Sequence, residues 1–324
     1  MIIDDCQVML DSCAKFFCSL YLRGWFHSTR HSLQSVEYLT GTGKLAHQVS
    51  RVREFHGGVV QLGDDKGFHV QVLHSEESGI DASRLLLETV AGERFEVSLQ
   101  ELVNERIAAF STPALYRRFV ADVRDSAPRP SILDIGGRNR SGLDRSKSFP
   151  WADVTVLDIV PGDNVTVVGD AHELTAYFPP DAFDGIYCVS VFEHLLMPWK
   201  VVLEMNRVLR IGGKCLIHTH QTLGMHDLPW DFWRYSDSSW DALFNRRTGF
   251  RVVERAMDSE QYVIPFLLRP EKMTAEKSAG FEGSCVMVEK IGPTCLEWNV
   301  SLQDVISTTY PIHKDGNCAR SYIQ

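Results

Sequence analysis

Apolar and polar residues alternate along the first third of the chain. Phe68-His69-Val70-Gln71-Val72 changes face at every position, as a half-buried strand does. Leu85-Leu86-Leu87-Glu88-Thr89-Val90 and Phe95-Glu96-Val97-Ser98-Leu99 flank Ala91-Gly92-Glu93-Arg94, which reads as a hairpin turn. Gly57-Gly58 and Gly63-Asp64-Asp65 mark further turns. Short strands with a turn about every ten residues predict a small all-β, sandwich-like domain over residues 1–100.

The period then changes. Leu102, Ile107, Phe110, Leu115, Phe119 and Val123 form a helical stripe, and Ala127-Pro128-Arg129-Pro130 ends it. Residues 101–130 therefore read as a helical linker. From Ser131 onward, short apolar runs are separated by longer mixed segments, the pattern of βαβ units and a parallel sheet. Candidate strands at 131–135, 154–158, 165–168, 184–189, 214–219, 250–257 and 284–290 predict a Rossmann-like, seven-stranded α/β domain over 131–292. Between them a helix begins at Pro198, with Val201, Val202, Met205, Val208 and Leu209 on one face. Gly212-Gly213 is expected to cap it. Residues 293–324 are read as a C-terminal tail.

Length and charge narrow the function. A chain of 324 residues predicts two domains, and 44% hydrophobic residues with 23% charged is the composition of a globular protein. The formal net charge of −9, with no basic run, disfavours nucleic acid and anionic membrane surfaces as partners. The acidic start Met-Ile-Ile-Asp-Asp lacks the positive region of a signal peptide, and Ala14 to Leu22 is too short to span a bilayer. A cytoplasmic location is expected, and the eight cysteines, without a C-x-x-C pair, are expected to be reduced and structural.

Chemistry first shows at Ser131-Ile132-Leu133-Asp134-Ile135-Gly136-Gly137-Arg138-Asn139-Arg140-Ser141-Gly142. This apolar run ends in an acidic residue and glycines, as a buried strand turning into a loop would. Val154-Thr155-Val156-Leu157-Asp158 follows and ends in a second carboxylate. In doubly wound sheets a carboxylate at the end of an adjacent strand binds a ribose, so the pair predicts a nucleoside-containing cofactor. A dinucleotide loop wants G-x-G-x-x-G, and the middle glycine is missing here.

Residues 131–257 resemble the class I S-adenosylmethionine-dependent methyltransferases. The resemblance rests on Gly169-Asp170-Ala171-His172-Glu173-Leu174, Phe183-Asp184-Gly185-Ile186, Val191-Phe192-Glu193-His194-Leu195 and the stretch from Glu204 through Arg207-Val208-Leu209 to Gly213, in that order. It implies S-adenosyl-L-methionine as the cofactor. Asp134, Gly136 and Gly137 would then lie in the loop beside its methionine part. Asp158 would accept the ribose hydroxyls, with Ile159 next to it. Asp170 would take the adenine amine, Ala171 would pack on the ring, and Ser190 would stand near cofactor or acceptor. Arg138 and Arg140 occupy places where the family usually has glycine. Three alternatives follow: Gly137 and Gly142 substitute by a shifted turn, Arg138 reaches the cofactor carboxylate or an anionic substrate, or the pocket is degenerate.

Two further resemblances are local. Leu22-Arg23-Gly24-Trp25 and Ser35-Val36-Glu37-Tyr38-Leu39 resemble strands of small β-sandwich modules attached to glycan-processing enzymes. His226-Asp227-Leu228-Pro229-Trp230-Asp231-Phe232-Trp233-Arg234-Tyr235-Ser236 resembles a segment of methyltransferases from surface-glycan and natural-product pathways. It implies a sugar, glycan or related small-molecule acceptor, methylated on oxygen.

A hydroxyl acceptor gains from a general base. His218, His220 and His226 lie at or after a strand's carboxyl end and are candidates. Asp231 and Arg234 either touch the acceptor or pair with each other to pin the loop. Glu193 and His194 are read as structural. Zinc ligation by His218, His220 and His226 lacks an obvious Cys or acidic partner, so no metal is expected. The alternative in another class is a non-catalytic cofactor- or glycan-binding protein with a degenerate methyltransferase domain.

Overall fold

The computed structural model describes residues 2–3, 5–16, 19–40, 48–54, 66–73, 80–108, 111–140, 142, 144–262 and 279–310. The chain divides into two compact units, Met1–Phe110 and Ser111–Gln324.

The first unit holds two antiparallel sheets. One has the order β1 (Ile2–Ile3), β2 (Cys6–Phe16), β3 (Ser19–His27), β6 (Lys66–Leu73), β5 (Gln48–Glu54). The other runs β4 (Leu33–Leu39), β7 (Arg84–Thr89), β8 (Arg94–Ser98). Alternation places Leu20, Leu22, Phe26, Phe68, Val70 and Val72 from one sheet in a single core with Val36, Tyr38, Leu85, Leu87 and Val97 from the other. At Gly24 a Cβ would come within 2.5 Å of the Phe68 ring, so only glycine lets β6 lie this close. The 85–99 hairpin forms as its pattern predicts, Thr89 donating to Glu93 O at 2.9 Å. The expected turns at Gly57-Gly58 and Gly63-Asp65 lie outside the described residues, as do Cys18 and Cys318.

The helical stretch expected at 101–130 is two helices in two different units, not a linker. α1 (Leu99–Ala108) buries Leu99 and Leu102 in the first core. α2 (Ser111–Arg124) buries Leu115, Phe119 and Val123 in the second unit. Ile107, placed on the same stripe by sequence, is exposed because each helix answers to its own core.

The second unit is built on a seven-stranded sheet. Its order is β11 (Val167–Val168), β10 (Asp153–Asp158), β9 (Ser131–Ile135), β12 (Phe183–Val189), β13 (Leu209–His220), β15 (Ala279–Lys290), β14 (Phe250–Tyr262). The first five strands are parallel, and β15 pairs antiparallel with β13 and β14. Both faces are covered. Ile132, Leu216, Cys285 and Met287 face α2. Leu133, Ile135, Ile186, Cys188 and Ile217 face α4 (Pro198–Val208) and α5 (Ser239–Leu243). This explains why the central strands read as continuous apolar runs. The shortest helix, α3 (Leu174–Tyr177), follows β11.

Gly212-Gly213 does not cap α4. The helix ends at Val208 because Leu209 turns extended and pairs with Phe183, so both glycines fall inside β13. The tail is also not free-standing: Lys200 Nζ donates to Val300 O at 3.1 Å, and Trp298 meets Trp199 edge to face.

On the α4 and α5 face Trp240 is fully buried, stacks on Tyr235 at 4.9 Å and donates from Nε1 to Ser284 Oγ at 2.9 Å. Trp240→Ala should lower the unfolding free energy by about 3–5 kcal/mol in urea denaturation, since it leaves a cavity and an unpaired hydroxyl.

On the α2 face Asp134 is fully buried, and neither carboxylate oxygen has a hydrogen-bond partner. Burial pushes its carboxyl up to about 7. Its pKa is raised in the folded chain, so stability from this site is present at low pH and is lost as pH rises from about 4 through 7. Asp134→Asn should therefore raise the thermal midpoint relative to wild type progressively over that interval. Parallel midpoint curves for the two proteins would overturn this assignment.

Candidate active site

The direction of strand addition reverses at β9, with β10 on one side and β12 on the other. At such a reversal the connecting loops part and a crevice opens beyond the carboxyl ends. Here it is a cleft lined by residues of the loops after β9, β10 and β12.

Gly136 forms its floor. It has φ +69, its N–H donates to Leu157 O at 2.7 Å, and a Cβ there would lie 2.2 Å from Val191 Cγ2. Only glycine satisfies both conditions. Arg145 holds the turn from outside, donating to Gly136 O at 2.7 Å and Val189 O at 3.0 Å. Nothing in the local sequence singled out this arginine. Asp134 and Gly137, expected at the cofactor, are not among the residues lining the cleft. The pleat sends the Asp134 side chain to the α2 face, beneath Gly137.

Asp158, Ile159, Asp170, Ala171 and Ser190 all line the cleft. Asp158 Oδ1 accepts from Val160 N at 2.8 Å. Asp170 caps the turn at 171–173, its Oδ1 accepting from His172 N at 2.9 Å and meeting His172 Nδ1 at 2.6 Å. Ser190 follows β12 with φ +55, strained for a residue with a side chain, and its N–H donates to His218 O.

The two arginines part ways. Arg138 turns into the cleft, with Nε 3.5 Å from Asp158 Oδ1, buried and without a hydrogen-bond partner. Arg140 is already satisfied. Its Nη1 and Nη2 donate to the Asp227 carboxylate at 2.6 and 3.3 Å, and Tyr310 Oη donates to Asp227 Oδ2 at 2.6 Å. Burial raises the Asp227 carboxyl, but the bonds from Arg140 and Tyr310 outweigh it and hold the group well below the usual carboxylate range. This clasp joins the first loop, the 226–236 segment and the tail at the wall of the cleft. Asp227 and Tyr310 were missed because their partner lies far away in sequence.

The proposed acceptor residues separate into three groups. His218 points away from the cleft, its Nδ1 2.9 Å from Tyr116 Oη and its Nε2 3.6 Å from Asp258 Oδ2. Asp231 and Arg234 pair with each other. Arg234 Nη1 and Nη2 donate at 2.6 and 2.8 Å, and Asp231 Oδ2 also accepts from His226 N at 2.9 Å. Arg234 further donates to Leu223 O and Gly224 O. These two residues position the loop and do not line the cleft. Of its aromatics, Trp230 lines the cleft, whereas Tyr235 belongs to the core.

His220 and His226 do come together, around a residue read from sequence as structural. Glu193 is fully buried just past β12. Its Oε2 accepts from Thr219 Oγ1 at 2.5 Å, while its Oε1 lies 3.2 Å from His220 Nε2, 3.8 Å from His194 Nε2 and 4.0 Å from His226 Nε2. His194 also lines the cleft. The string Glu193-His194 was visible in the sequence, but its role depends on β13 and the loop at 226.

Residues 136–217 match the family model described as "Methyltransferase domain". Among solved structures the chain is similar to an S-adenosylmethionine-dependent methyltransferase from Archaeoglobus fulgidus, at 17% identity over 55% of this chain and 92% of that one, with a TM-score of 0.41. It is also similar to 1,6-didemethyltoxoflavin-N1-methyltransferase from Burkholderia thailandensis, at 17% identity over 67% and 100% of the two chains, with a TM-score of 0.37. No curated protein sequence matches the chain.

The cleft's own chemistry fits the cofactor of such a domain. Asp158 offers a carboxylate at the place a ribose would occupy, and the orphaned Arg138 Nε–H beside it is a donor still in need of an oxygen. Residues 136–217 are thus similar to a methyltransferase domain, and its cofactor is S-adenosylmethionine.

Proposed function

We propose that this chain methylates a hydroxyl of a sugar, glycan or related small molecule. The observation that carries the reading is the position of His194. Its ring lines the cofactor cleft and also belongs to the histidine cluster around Glu193, so the two ends of a transfer reaction share a wall.

When bound, S-adenosylmethionine supplies a methyl group on a cationic sulfur whose departure needs no acid. The chain's residues bind and orient. Asp158 accepts ribose hydroxyls, and Asp170 accepts the adenine amine through the oxygen not bonded to His172. Ala171 and Ile159 flank the ring. Trp230 and the Arg140–Asp227–Tyr310 clasp exclude water at the mouth, which strengthens each polar contact inside. The histidines around Glu193 manage the acceptor's hydroxyl proton.

Carbohydrate is favoured by the outer aromatic cluster. Trp199, Trp233 and Trp298 meet edge to face at 6.0 and 5.7 Å, with Trp233 and Trp298 exposed. Exposed indole faces pack well on the C–H surface of a sugar. The net charge of −9 argues against a nucleic-acid acceptor. A cytoplasmic site is part of the proposal, supported by six free cysteines among the described residues. No described helix is long and apolar enough to cross a membrane.

One observation favours a second reading. If Arg138 remains on Asp158, the ribose site is closed and the chain is a non-catalytic binding protein. Calorimetry with S-adenosylhomocysteine separates the two. Wild type should bind, and Asp158→Ala should weaken binding at least tenfold, about 1.4 kcal/mol, by leaving ribose hydroxyls unpaired. No binding to wild type would sink the methyltransferase reading. Transfer of labelled methyl to a panel of sugars and sugar nucleotides tests the acceptor, and binding without turnover would favour the second reading.

A further inference from the structure

Glu193 Oε1 is a carboxylate oxygen with no exposure and no hydrogen-bond partner. Three imidazole Nε2 atoms surround it at 3.2, 3.8 and 4.0 Å, yet none is aligned to donate to it. Two of these rings have their tautomer set from behind. His226 Nδ1 is 3.0 Å from Gly224 O and His194 Nδ1 is 2.5 Å from Trp230 O, and a carbonyl can only accept. Each Nδ1 therefore carries a proton, and the neutral form of each ring turns a lone pair toward the carboxylate. Lone pairs converging on an anion repel unless a cation lies between them.

We infer that Glu193 Oε1, His220 Nε2 and His226 Nε2 bind a divalent transition-metal ion of the zinc type. The three ligand atoms lie within 4.8 Å of one another. With metal–ligand bonds of about 2.1 Å, tetrahedral ligands stand about 3.4 Å apart, and the two distances from Oε1, 3.2 and 4.0 Å, bracket that value. The surroundings are those of a ligand set. Thr219 holds Oε2 and so aims Oε1 inward, and a backbone carbonyl behind His226 fixes its ring, as carbonyls behind metal-bound histidines do. The nearby acids do not compete, since Asp231 is paired with Arg234 and Asp227 with Arg140 and Tyr310. The spacing of the histidines in sequence showed no acidic partner. The fold supplies one, and replaces His218 in the set.

His194 lies 3.8 Å from Glu193 Oε1 and lines the cleft, so an open position of the ion on that side would face the cleft. An acceptor hydroxyl bound there would be acidified. Its proton would pass to His194, the histidine of the cluster outside the ligand set, while the oxygen pair would form the new bond to the methyl carbon and the C–S bond would break with its pair left on sulfur. This role rests on the methyl-transfer reading, whereas the binding of the ion does not. A vicinal diol or hydroxy acid, able to chelate as the ion expands to five ligands, is the acceptor class that suits it.

The test uses the full chain, stripped with chelator and titrated with Co2+ alone while visible ligand-field bands are recorded. Zn2+ then competes. One ion per chain is expected, displaced by Zn2+, with binding at least tenfold weaker in His226→Asn and in Glu193→Gln. If Glu193→Gln fails to fold, His226→Asn carries the test, because its ring is partly exposed and does not line the cofactor cleft. That variant should keep its calorimetric affinity for S-adenosylhomocysteine. No saturable Co2+ binding by wild type, or undiminished binding by His226→Asn, overturns the inference. Co2+ binding without S-adenosylhomocysteine binding upholds the metal site and removes only the methyl-transfer reading.

Discussion

A sheet covered on both faces leaves polar side chains almost nowhere to go except its strand ends. In the second unit β9, β12 and β13 are packed against α2 on one side and α4 and α5 on the other. Carboxylates and imidazoles inside such a sheet would lose their water without compensation. Asp158, Ser190, Glu193 and His220 all stand at or just beyond carboxyl ends, where loops supply partners. Asp134 is the exception, and the raised pKa of its carboxyl records the penalty.

The reversal of strand order at β9 turns this constraint into a site. It parts the loops after β9, β10 and β12, and the gap is then rebuilt by segments distant in sequence. Arg140, Asp227 and Tyr310 come from the first loop, the 226–236 segment and the tail, and they meet over one carboxylate. Glu193 does the same beyond the ends of β12 and β13. Its carboxylate collects Thr219 and three histidines, and its backbone carbonyl accepts from Phe232 and Trp233. A single buried acid thereby ties the ends of two strands to the loop that closes them.

How far the sequence could be read depended on distance. The seven strands of the second unit were legible because each contains a short apolar run with local punctuation, although β13, β14 and β15 extend well beyond it. Asp158, Asp170 and Ala171 line the cleft because they end or closely follow their strands. The end of α4 was misplaced because strand pairing at Leu209, not the glycines, stops the helix. The stripe from Leu102 to Val123 was read as one helix because a period does not say which core it faces. His218 was grouped with His220 by spacing, yet Tyr116 and Asp258 hold it on the other face.

Taken alone, the sequence determined which segments of the second unit become strands, where the glycine loop after the first of them lies and which carboxylate ends the second. Each of these follows from residues within a few positions of one another. Only the tertiary structure decided what Arg138, Arg140, Glu193 and the histidines do. An ion pair or a cluster of lone pairs acts over a few ångströms of space, and its members here come from as far apart as Arg140 and Tyr310. Charge and chemical type are written in the chain, but the neighbour that satisfies or orphans each group is chosen by folding.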